Sequence, residues 1–120
     1  VSQVGAACHT GNRTCFFNNI VKKEYVEKNP LTVLESVYAV IVDRMKNPKE
    51  DSYTNAVMEK GIDEILKKLG HECTEIILAA KNPDSDDLKF EISDFMYHCM
   101  ILMAQKNITW AEIAGELAQR

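Results

Sequence analysis

Apolar residues recur at intervals of three and four positions along most of the chain from residue 31 onwards. This spacing places them on one side of a helix, so it predicts a series of amphipathic helices. Breaks between them fall at Pro48 and Pro83, which cannot continue a helix. A last helix begins at Thr109, where the sequence TWAE fits a capping box. The predicted fold class is all-α, with helices over residues 31–46, 61–80 and 86–106, a short helical turn from a cap at Thr54 to Lys60, and a final helix to residue 120.

The helices predicted over residues 61–80 and 86–106 are joined by the short polar segment KNPDS. Two helices joined by so short a loop run antiparallel. We expect their apolar stripes to face each other, with Cys73 and Cys99 as small residues of the core. The stripes consist of Ile62, Ile65, Leu66, Leu69, Cys73, Ile76, Ile77 and Ala80 on the first helix, and of Leu88, Ile92, Phe95, Cys99, Leu102 and Met103 on the second.

Each of these two helices also carries two acids spaced three residues apart, Glu72 with Glu75 and Glu91 with Asp94. At about 100° per residue, both pairs fall to the same side of their own stripe, and both lie roughly two to three turns from the loop. In an antiparallel pair of helices, equal offsets reach the same side of the contact. The four carboxylates are therefore expected to converge at one level of the hairpin.

Convergent carboxylates repel one another, by about 4 kcal/mol for two charges ~4 Å apart at an effective dielectric constant near 20. Raised carboxyl pKa values or a bound cation would relieve this repulsion. An all-oxygen cluster suits Mg²⁺, with Mn²⁺ as an alternative, and Mg²⁺ typically joins a few carboxylates to substrate phosphates. Lys68 lies on the same flank and could reach a phosphate, and His98 lies between Glu91 and Asp94 in angle. The alternative is a solvated acidic face, which is the usual interpretation of a single acid pair.

The composition is that of a globular protein, since 46% of the 120 residues are hydrophobic and 27% are charged. The net charge of −4 provides no basic face for a nucleic acid, although it is compatible with a nucleotide whose phosphates meet a bound cation. No apolar run approaches the ~20 residues needed to span a bilayer, and no basic-then-apolar start indicates secretion. We therefore expect a cytoplasmic protein with reduced thiols that binds neither nucleic acid nor membrane.

The first 21 residues show no helical period and are expected to form irregular chain with at most one short strand. Cys8 and Cys15 lie here in a polar loop, with His9 between them. Their spacing is compatible with part of a thiolate metal site, but tetrahedral zinc takes at least three protein ligands and no C-x-x-C pair is present. The spacing alone leaves metal binding open.

Four motifs follow one another along the chain, namely VIVDR at residues 40–44, SYT at 52–54, KKLGHECTEIILAAK at 67–81 and EISDFMYH at 91–98. In this order they resemble phosphoribosyl-ATP pyrophosphohydrolase over about residues 31–120. The broader class, the all-α nucleotide pyrophosphohydrolases, has the signature E-E-x-x-E followed by E-x-x-D. His71 replaces the first signature glutamate, and because it lies roughly opposite the apolar stripe we expect it to lie outside the metal site. The residues that match the signature are Glu72, Glu75, Glu91 and Asp94.

The resemblance implies a domain over residues 29–120 that hydrolyses phosphoribosyl-ATP to phosphoribosyl-AMP and pyrophosphate, the second step of histidine biosynthesis. It also implies a helical homodimer with sites near the subunit interface. Mg²⁺ held by the four acids would neutralise the triphosphate, and one carboxylate would orient or deprotonate the attacking water. The candidate substrate-binding residues are Arg44, Lys60 and Lys68 for phosphates, and Ser52, Tyr53, Thr54 and His98 for substrate positioning.

The segment QVGAACHTGNRTCFF at residues 3–17 is similar to the carboxy-terminal zinc motif of phosphoribosyl-AMP cyclohydrolase, a domain often fused ahead of the pyrophosphohydrolase. In that family Cys8 and Cys15 would bind zinc together with a third cysteine from an upstream half, next to an aspartate-rich metal motif. We therefore interpret residues 1–28 as the end of a cyclohydrolase domain plus a linker, from a bifunctional protein. These 120 residues are expected to have no cyclohydrolase activity.

Two alternative functions are compatible with the same motifs. A house-cleaning hydrolase of aberrant nucleoside triphosphates would share the chemistry, and a panel of free triphosphates would distinguish it. A non-catalytic helical dimerisation module would show no Mg²⁺-dependent change in stability, whereas a bound metal raises the melting temperature by mass action.

Overall fold

The computed structural model describes residues 29–120. Within this range the chain forms helices and no strand, so the predicted all-α class is confirmed. No helix among them combines the length and the apolar character needed to cross a bilayer. The predictions for residues 1–28, including the irregular segment and the cysteine loop, lie outside the described residues. The five helices are α1 (Thr32–Lys46), α2 (Tyr53–Lys60), α3 (Ile62–Ala80), α4 (Ser85–Lys106) and α5 (Trp110–Ala118).

The helix ends follow local side-chain capping. The capping box predicted at Thr109 is confirmed, because its hydroxyl accepts from the backbone N–H of Glu112 and the Glu112 carboxylate accepts from the backbone N–H of Thr109. The predicted cap of α2 is wrong: Ser52, not Thr54, is the N-cap, and its hydroxyl accepts from the backbone N–H of Asn55 at 3.2 Å. Thr54 lies inside the helix and is buried. Both residues are preferred cap types, so the sequence alone could not separate them.

Residues 37–120 form one compact unit, and α3 and α4 are its main helical pair. The two helices are joined by residues 81–84, and α2 packs against both of them. The Tyr38 hydroxyl on α1 donates to the carbonyl of Ile108 at 2.6 Å, which joins α1 to the connection between α4 and α5. The core is formed by Ile41, Val57, Ile65, Met100, Ile101, Met103 and Ala104.

The buried face of α3 differs from the predicted one. Ile65, Glu72 and Ala79 are buried, and their seven-residue spacing places them nearly on one line of the helix. Leu66 and Ile77, at the edge of the predicted stripe that lies away from Glu72, are 48% and 60% exposed. The predicted stripe of α3 is thus buried only in part, since Ile65 is buried whereas Leu66 and Ile77 are exposed. That the stripes of α3 and α4 face each other stays a prediction.

Four exposed residues of the two predicted stripes form what we call the outer face, namely Leu66, Cys73 and Ile77 on α3 and Ile92 on α4. Cys73 is exposed and free, so its prediction as a core residue is wrong, whereas the free thiol of Cys99 is half-buried. Burial raises the pKa of the Cys99 thiol, and the nearby Cys73 raises it further. The two thiols therefore lie close together across the hairpin.

Candidate active site

Three side chains from the α3–α4 hairpin meet at its seam. Glu72 comes from α3, and Asp94 and His98 lie one turn apart on α4. One oxygen or nitrogen atom of each side chain lies within 4.8 Å of the corresponding atoms of the other two. Glu72 and His98 are only 6% and 3% exposed, and Asp94 is half-buried. The hairpin thus places carboxylates from two different helices against each other in a site largely shielded from water.

Among these three side chains, the Glu72 carboxylate has an oxygen atom without a hydrogen bond. Its Oε1 is buried and has no hydrogen-bond partner among the described residues. Burial raises the pKa of Glu72, and the hydrogen bond with Asp94 and the charge of Asp94 raise it further. His98 opposes this shift, while the charge of Glu91 adds to it. Because a buried polar atom without a partner is costly, the site favours a ligand that Oε1 can bind.

The donor set around Oε1 fits a hard divalent cation. Carboxylate oxygens from Glu72 and Asp94 are the ligands that Mg²⁺ and Mn²⁺ prefer in proteins. A cation at this point would satisfy Oε1 and relieve the repulsion between the two carboxylates at the same time. The geometry therefore fits the group that the sequence motifs imply.

His98 is held by a hydrogen bond at each ring nitrogen. Its Nδ1 lies 2.8 Å from the backbone carbonyl of Asp94, which can only accept, so Nδ1 carries the proton. Its Nε2 then accepts from the Tyr53 hydroxyl at 2.7 Å. Nδ1 also lies 3.6 Å from the Asp94 carboxylate oxygen Oδ1. Both nitrogens are engaged within the protein, so His98 faces the acids without a free lone pair to offer a cation.

The remaining acids of the signature lie further from this centre. Glu91 is half-buried, and its charge contributes to the raised pKa of Glu72. Glu75 is at the rim, where its Oε2 lies 3.5 Å from the Nε2 of His71. His71 lies beside Glu75 with 62% of its side chain exposed, and it is not among the three side chains that meet at the seam. That it lies outside the metal site stays a prediction. The assignment of all four acids as catalytic and metal-binding residues stays a prediction.

The basic residues predicted to bind phosphates are engaged with acids of their own helices or exposed. The Lys68 Nζ lies 3.9 Å from the Glu64 carboxylate, and the Arg44 guanidinium lies 3.3 Å from Asp43. Lys60 is exposed at the carboxy-terminal end of α2. Exposed ion pairs of this kind are typically worth about 0.2–1 kcal/mol, so a triphosphate can compete for these side chains. Their role in substrate binding stays a prediction.

The SYT motif is built into the contact between α2 and α4. Thr54 is 3% exposed, and its hydroxyl shares a hydrogen bond of 2.5 Å with the Tyr97 hydroxyl. Ser52 caps α2, and Tyr53 contacts His98. The structure therefore gives each member of the motif a partner inside the protein, and their direct contact with substrate stays a prediction.

Two residues of this region, Tyr97 and Asn55, were missed by the sequence analysis. Tyr97 lies directly before His98 in the last motif, and Asn55 directly follows SYT. The Asn55 amide donates to the carbonyl of Arg44 at 2.8 Å and accepts from the backbone N–H of Lys49 at 2.9 Å. The available signal was that each residue lies next to a motif. Helical spacing does not predict the hydrogen-bond partner of either side chain.

Two cavities lie beside the α1–α2 connection rather than at Glu72. One, of about 500 Å³, is lined by residues that include Met45 and Met58. The other, of about 410 Å³, is lined in part by Ser52 and Tyr53 and shares Asn55 with the first. The second cavity extends along the amino-terminal end of α2 from the side chain that contacts His98. Neither cavity is lined by Glu72, Asp94 or His98, and the second is related to them only through Tyr53.

Comparison with known proteins assigns this arrangement to a family. The family model described as phosphoribosyl-ATP pyrophosphohydrolase matches residues 34–120. The chain belongs to this family. The matched range contains α1 from Leu34 onwards and the whole of α2 to α5. It therefore includes the acid cluster of Glu72, Asp94 and His98.

The matching relatives include phosphoribosyl-ATP pyrophosphatases and bifunctional histidine biosynthesis proteins. The phosphoribosyl-ATP pyrophosphatase of Clostridium novyi (strain NT) is 51% identical over 90 residues, which cover 75% of this chain and 82% of that protein. The phosphoribosyl-ATP pyrophosphatase of Bacillus cereus (strain AH187) is 47% identical over 93 residues, 78% of this chain and 84% of that protein. The histidine biosynthesis bifunctional protein HisIE of Caldanaerobacter subterraneus subsp. tengcongensis is 44% identical over 120 residues. That match covers the whole of this chain and 57% of the bifunctional protein.

The chain spans a little over half the length of the bifunctional relatives that it matches, between 54% and 60% of four of them. The family model begins at residue 34, whereas the match to the bifunctional protein of Caldanaerobacter includes residues 1–33. The amino-terminal residues thus have counterparts in the bifunctional relatives outside the region that the family model describes.

Proposed function

We propose that this chain hydrolyses phosphoribosyl-ATP to phosphoribosyl-AMP and pyrophosphate, as the second step of histidine biosynthesis. The observation that carries the proposal is the buried, unpartnered Oε1 of Glu72 opposite Asp94, in a member of the phosphoribosyl-ATP pyrophosphohydrolase family. Such an arrangement is unfavourable in an empty site and favourable around a cation that accompanies a triphosphate.

The proposed cation is Mg²⁺, with Mn²⁺ as an alternative. Glu72 and Asp94 would hold it, and Glu91 and Glu75 would complete the acidic rim around the substrate. When bound, the cation would neutralise the triphosphate and stabilise the charge that develops on the leaving pyrophosphate. The carboxylate oxygens of Glu72 and Asp94 already lie within 4.8 Å of each other.

The remaining chemistry falls to the protein side chains. One carboxylate of the rim would orient or deprotonate the attacking water, which must lie in line with the leaving pyrophosphate. Lys68 and Arg44 would exchange their ion pairs, and Lys60 its exposed position, for contacts with substrate phosphates. The cavity lined by Ser52 and Tyr53 offers room for the part of the substrate that extends away from the reacting phosphates.

We further propose that the domain works as a homodimer in the cytoplasm, with the outer face of the hairpin covered by a second copy. Leu66 and Ile77 on this face are 48% and 60% exposed, a cost that a second copy of the same hairpin would remove. Residues 29–120 would form the hydrolase domain. Residues 1–28 would be the end of a preceding cyclohydrolase domain plus a linker, and Cys8 and Cys15 would bind zinc only with the upstream half.

The test is an assay of pyrophosphate release from phosphoribosyl-ATP with Mg²⁺ and with excess chelator. We expect release with Mg²⁺, none with chelator, and a loss of at least about 100-fold in the Glu72→Gln/Glu91→Gln variant, because it removes two carboxylates around the proposed cation, which stabilises the transition state. Glu116→Gln, an exposed acid on α5, is the matched control and should retain the wild-type rate. A Glu72→Gln/Glu91→Gln variant with full rate would refute the site, and faster hydrolysis of free nucleoside triphosphates than of phosphoribosyl-ATP would refute the substrate.

A further inference from the structure

We infer that Tyr53 is a positioning residue: its hydroxyl holds His98, and through it Asp94, in the orientation in which Asp94 and Glu72 bind a divalent cation. The inference rests on the metal site of the proposed function. It assigns Tyr53 a role inside the protein rather than a contact with substrate.

The orientation of His98 is fixed from two sides. The Nδ1–H donates to the Asp94 carbonyl at 2.8 Å and lies 3.6 Å from the Asp94 carboxylate. The proton on Nδ1 leaves Nε2 as an acceptor, and the Tyr53 hydroxyl fills that position at 2.7 Å. Rotation of the imidazole would break both hydrogen bonds at once. The Asp94 side chain therefore faces a ring whose angle is set by Tyr53.

Two tyrosine rings also confine the imidazole by packing. The Tyr53 ring meets His98 edge-on, with centroids 5.6 Å apart and an interplanar angle of 89°. The Tyr97 ring meets it at 6.0 Å and 83°. Edge-to-face contacts at these distances are favourable. His98 is buried between one ring from α2 and one from its own helix.

The helix that carries Tyr53 is itself anchored at its first turn. Asn55 binds the carbonyl of Arg44 and the backbone N–H of Lys49, so it holds the α1–α2 connection to α2. Thr54 binds Tyr97 and so joins α2 to α4 one residue from His98. Because the backbone on both sides of Tyr53 is tied down, the position of its hydroxyl is set before any ligand arrives.

The decisive measurement is the affinity of the full chain for Mn²⁺ without nucleotide, by calorimetry or by the electron paramagnetic resonance signal of free Mn²⁺. Tyr53→Phe keeps the ring contact and removes the hydroxyl. We expect its Mn²⁺ affinity to fall about 10-fold, as is typical when a group that orients a metal ligand is removed. At saturating Mg²⁺, the KM for phosphoribosyl-ATP should remain at the wild-type value.

The matched control is Tyr38→Phe, which removes a tyrosine hydroxyl whose partner is the carbonyl of Ile108 rather than a residue of α2 or of the acid cluster. Its Mn²⁺ affinity should equal that of the wild type. In a His98→Gln background, Tyr53→Phe should cause no further loss of Mn²⁺ affinity, because the partner of the hydroxyl is gone.

The outcomes separate this inference from the proposed function. A Tyr53→Phe variant with wild-type Mn²⁺ affinity and a raised KM would overturn the inference and assign Tyr53 to substrate, while hydrolysis by the wild type would still stand. Loss of Mn²⁺ affinity in Tyr53→Phe, in a chain that does not hydrolyse phosphoribosyl-ATP, would support the inference and refute the proposed function. Absence of Mn²⁺ binding by the wild type would overturn the inference, whereas the proposed function would still be decided by the assay with phosphoribosyl-ATP.

Discussion

At the scale of single residues, Glu72 occupies a position where the packing of α3 favours an apolar side chain. It lies between Ile65 and Ala79 on the buried line of the helix, opposite Asp94. A carboxylate there is costly because it loses water and faces a second acid. The loss of water and the facing acid raise the pKa of Glu72. The stability of the protein therefore depends on pH and on cations.

Glu72→Gln should remove this pH dependence in the presence of chelator. The pKa of Glu72 in the folded state is raised above its ordinary value of 4.5, so the folded chain holds this proton more tightly than the unfolded chain. The resulting stabilisation is complete below pH 4.5 and is lost as the pH rises through the raised pKa. The free energy of unfolding of the wild type, relative to that of Glu72→Gln, should fall over this window in urea titrations. A difference that does not change with pH would contradict the assignment.

Thr54→Val should lower the free energy of unfolding by about 1 kcal/mol, because it removes the hydrogen bond to Tyr97 without changing the buried volume. Thr54 is 3% exposed, so water cannot replace its partner. Tyr97→Phe removes the same bond from the other side. If the bond is the cause, the loss in the double variant should be smaller than the sum of the single losses, and full additivity would contradict it.

At the scale of elements, the junction between α2 and α3 depends on Gly61. Gly61 ends α2 and caps α3 with φ 97° and ψ 179°, a conformation that is essentially restricted to glycine. A Cβ at this position would meet no atom within 4 Å, so the restriction comes from the backbone and not from crowding. The turn that orients α3 relative to α2 is therefore set by one residue.

Gly61→Ala should lower the free energy of unfolding by about 1–3 kcal/mol through this backbone strain. Gly70→Ala is the matched control in the same helix, because a Cβ there also meets nothing within 4 Å and the backbone is helical. It should raise the free energy of unfolding by roughly 0.5–1 kcal/mol, the usual gain of alanine over glycine inside a helix. Thermal or urea unfolding of the two variants measures both effects, and equal shifts in one direction would contradict this account.

The elements were predictable from the sequence because apolar periodicity, prolines and the capping box at Thr109 are local signals. The face that each helix buries was not predictable. Leu66 and Ile65 are equally apolar neighbours, yet Leu66 is 48% exposed and Ile65 is fully buried. Which of the two apolar sides of α3 meets the partner helix depends on the packing of α2 and α4. The spacing of residues within α3 does not indicate this.

The site was predictable to the extent that its acids follow helical spacing. The pairs on α3 and α4 indicated a meeting of carboxylates, and Glu72 and Asp94 do meet. The hydrogen bonds around them were not predictable, because Tyr53 and His98 are 45 positions apart in the chain and Thr54 and Tyr97 are 43 apart. Such pairs depend on how α2 docks on α4, which is a property of the folded chain.

At the scale of the whole molecule, the hairpin presents apolar side chains on two opposite sides. One side builds the core with α1 and α2, and the outer face remains exposed in the isolated chain. A helix that is apolar on more than one side usually buries both, so a second copy is the occupant we propose. The outer face and the acid cluster lie on the same two helices. We therefore expect dimerisation to affect the geometry of the site.

Ile77→Lys should convert the proposed dimer into a monomer in sedimentation or light-scattering measurements. The substitution places a charge in the centre of the apolar interface, where its desolvation is unfavourable. Leu78→Lys is the matched control, because Leu78 is 56% exposed against 60% for Ile77 but lies about 100° further around α3. It should leave the mass unchanged. A monomeric wild type, or equal dissociation of both variants, would contradict the assignment of the outer face.

The buried line Ile65, Glu72 and Ala79 has a consequence for attempts to improve this protein. A leucine at position 72 would complete the apolar line and remove a buried charge, so Glu72→Leu should raise the melting temperature of the metal-free chain. Replacement of a functional carboxylate by an apolar side chain commonly increases stability and decreases activity. Directed evolution for heat resistance alone would therefore select against the acid cluster, and a screen that keeps the site must measure turnover alongside stability.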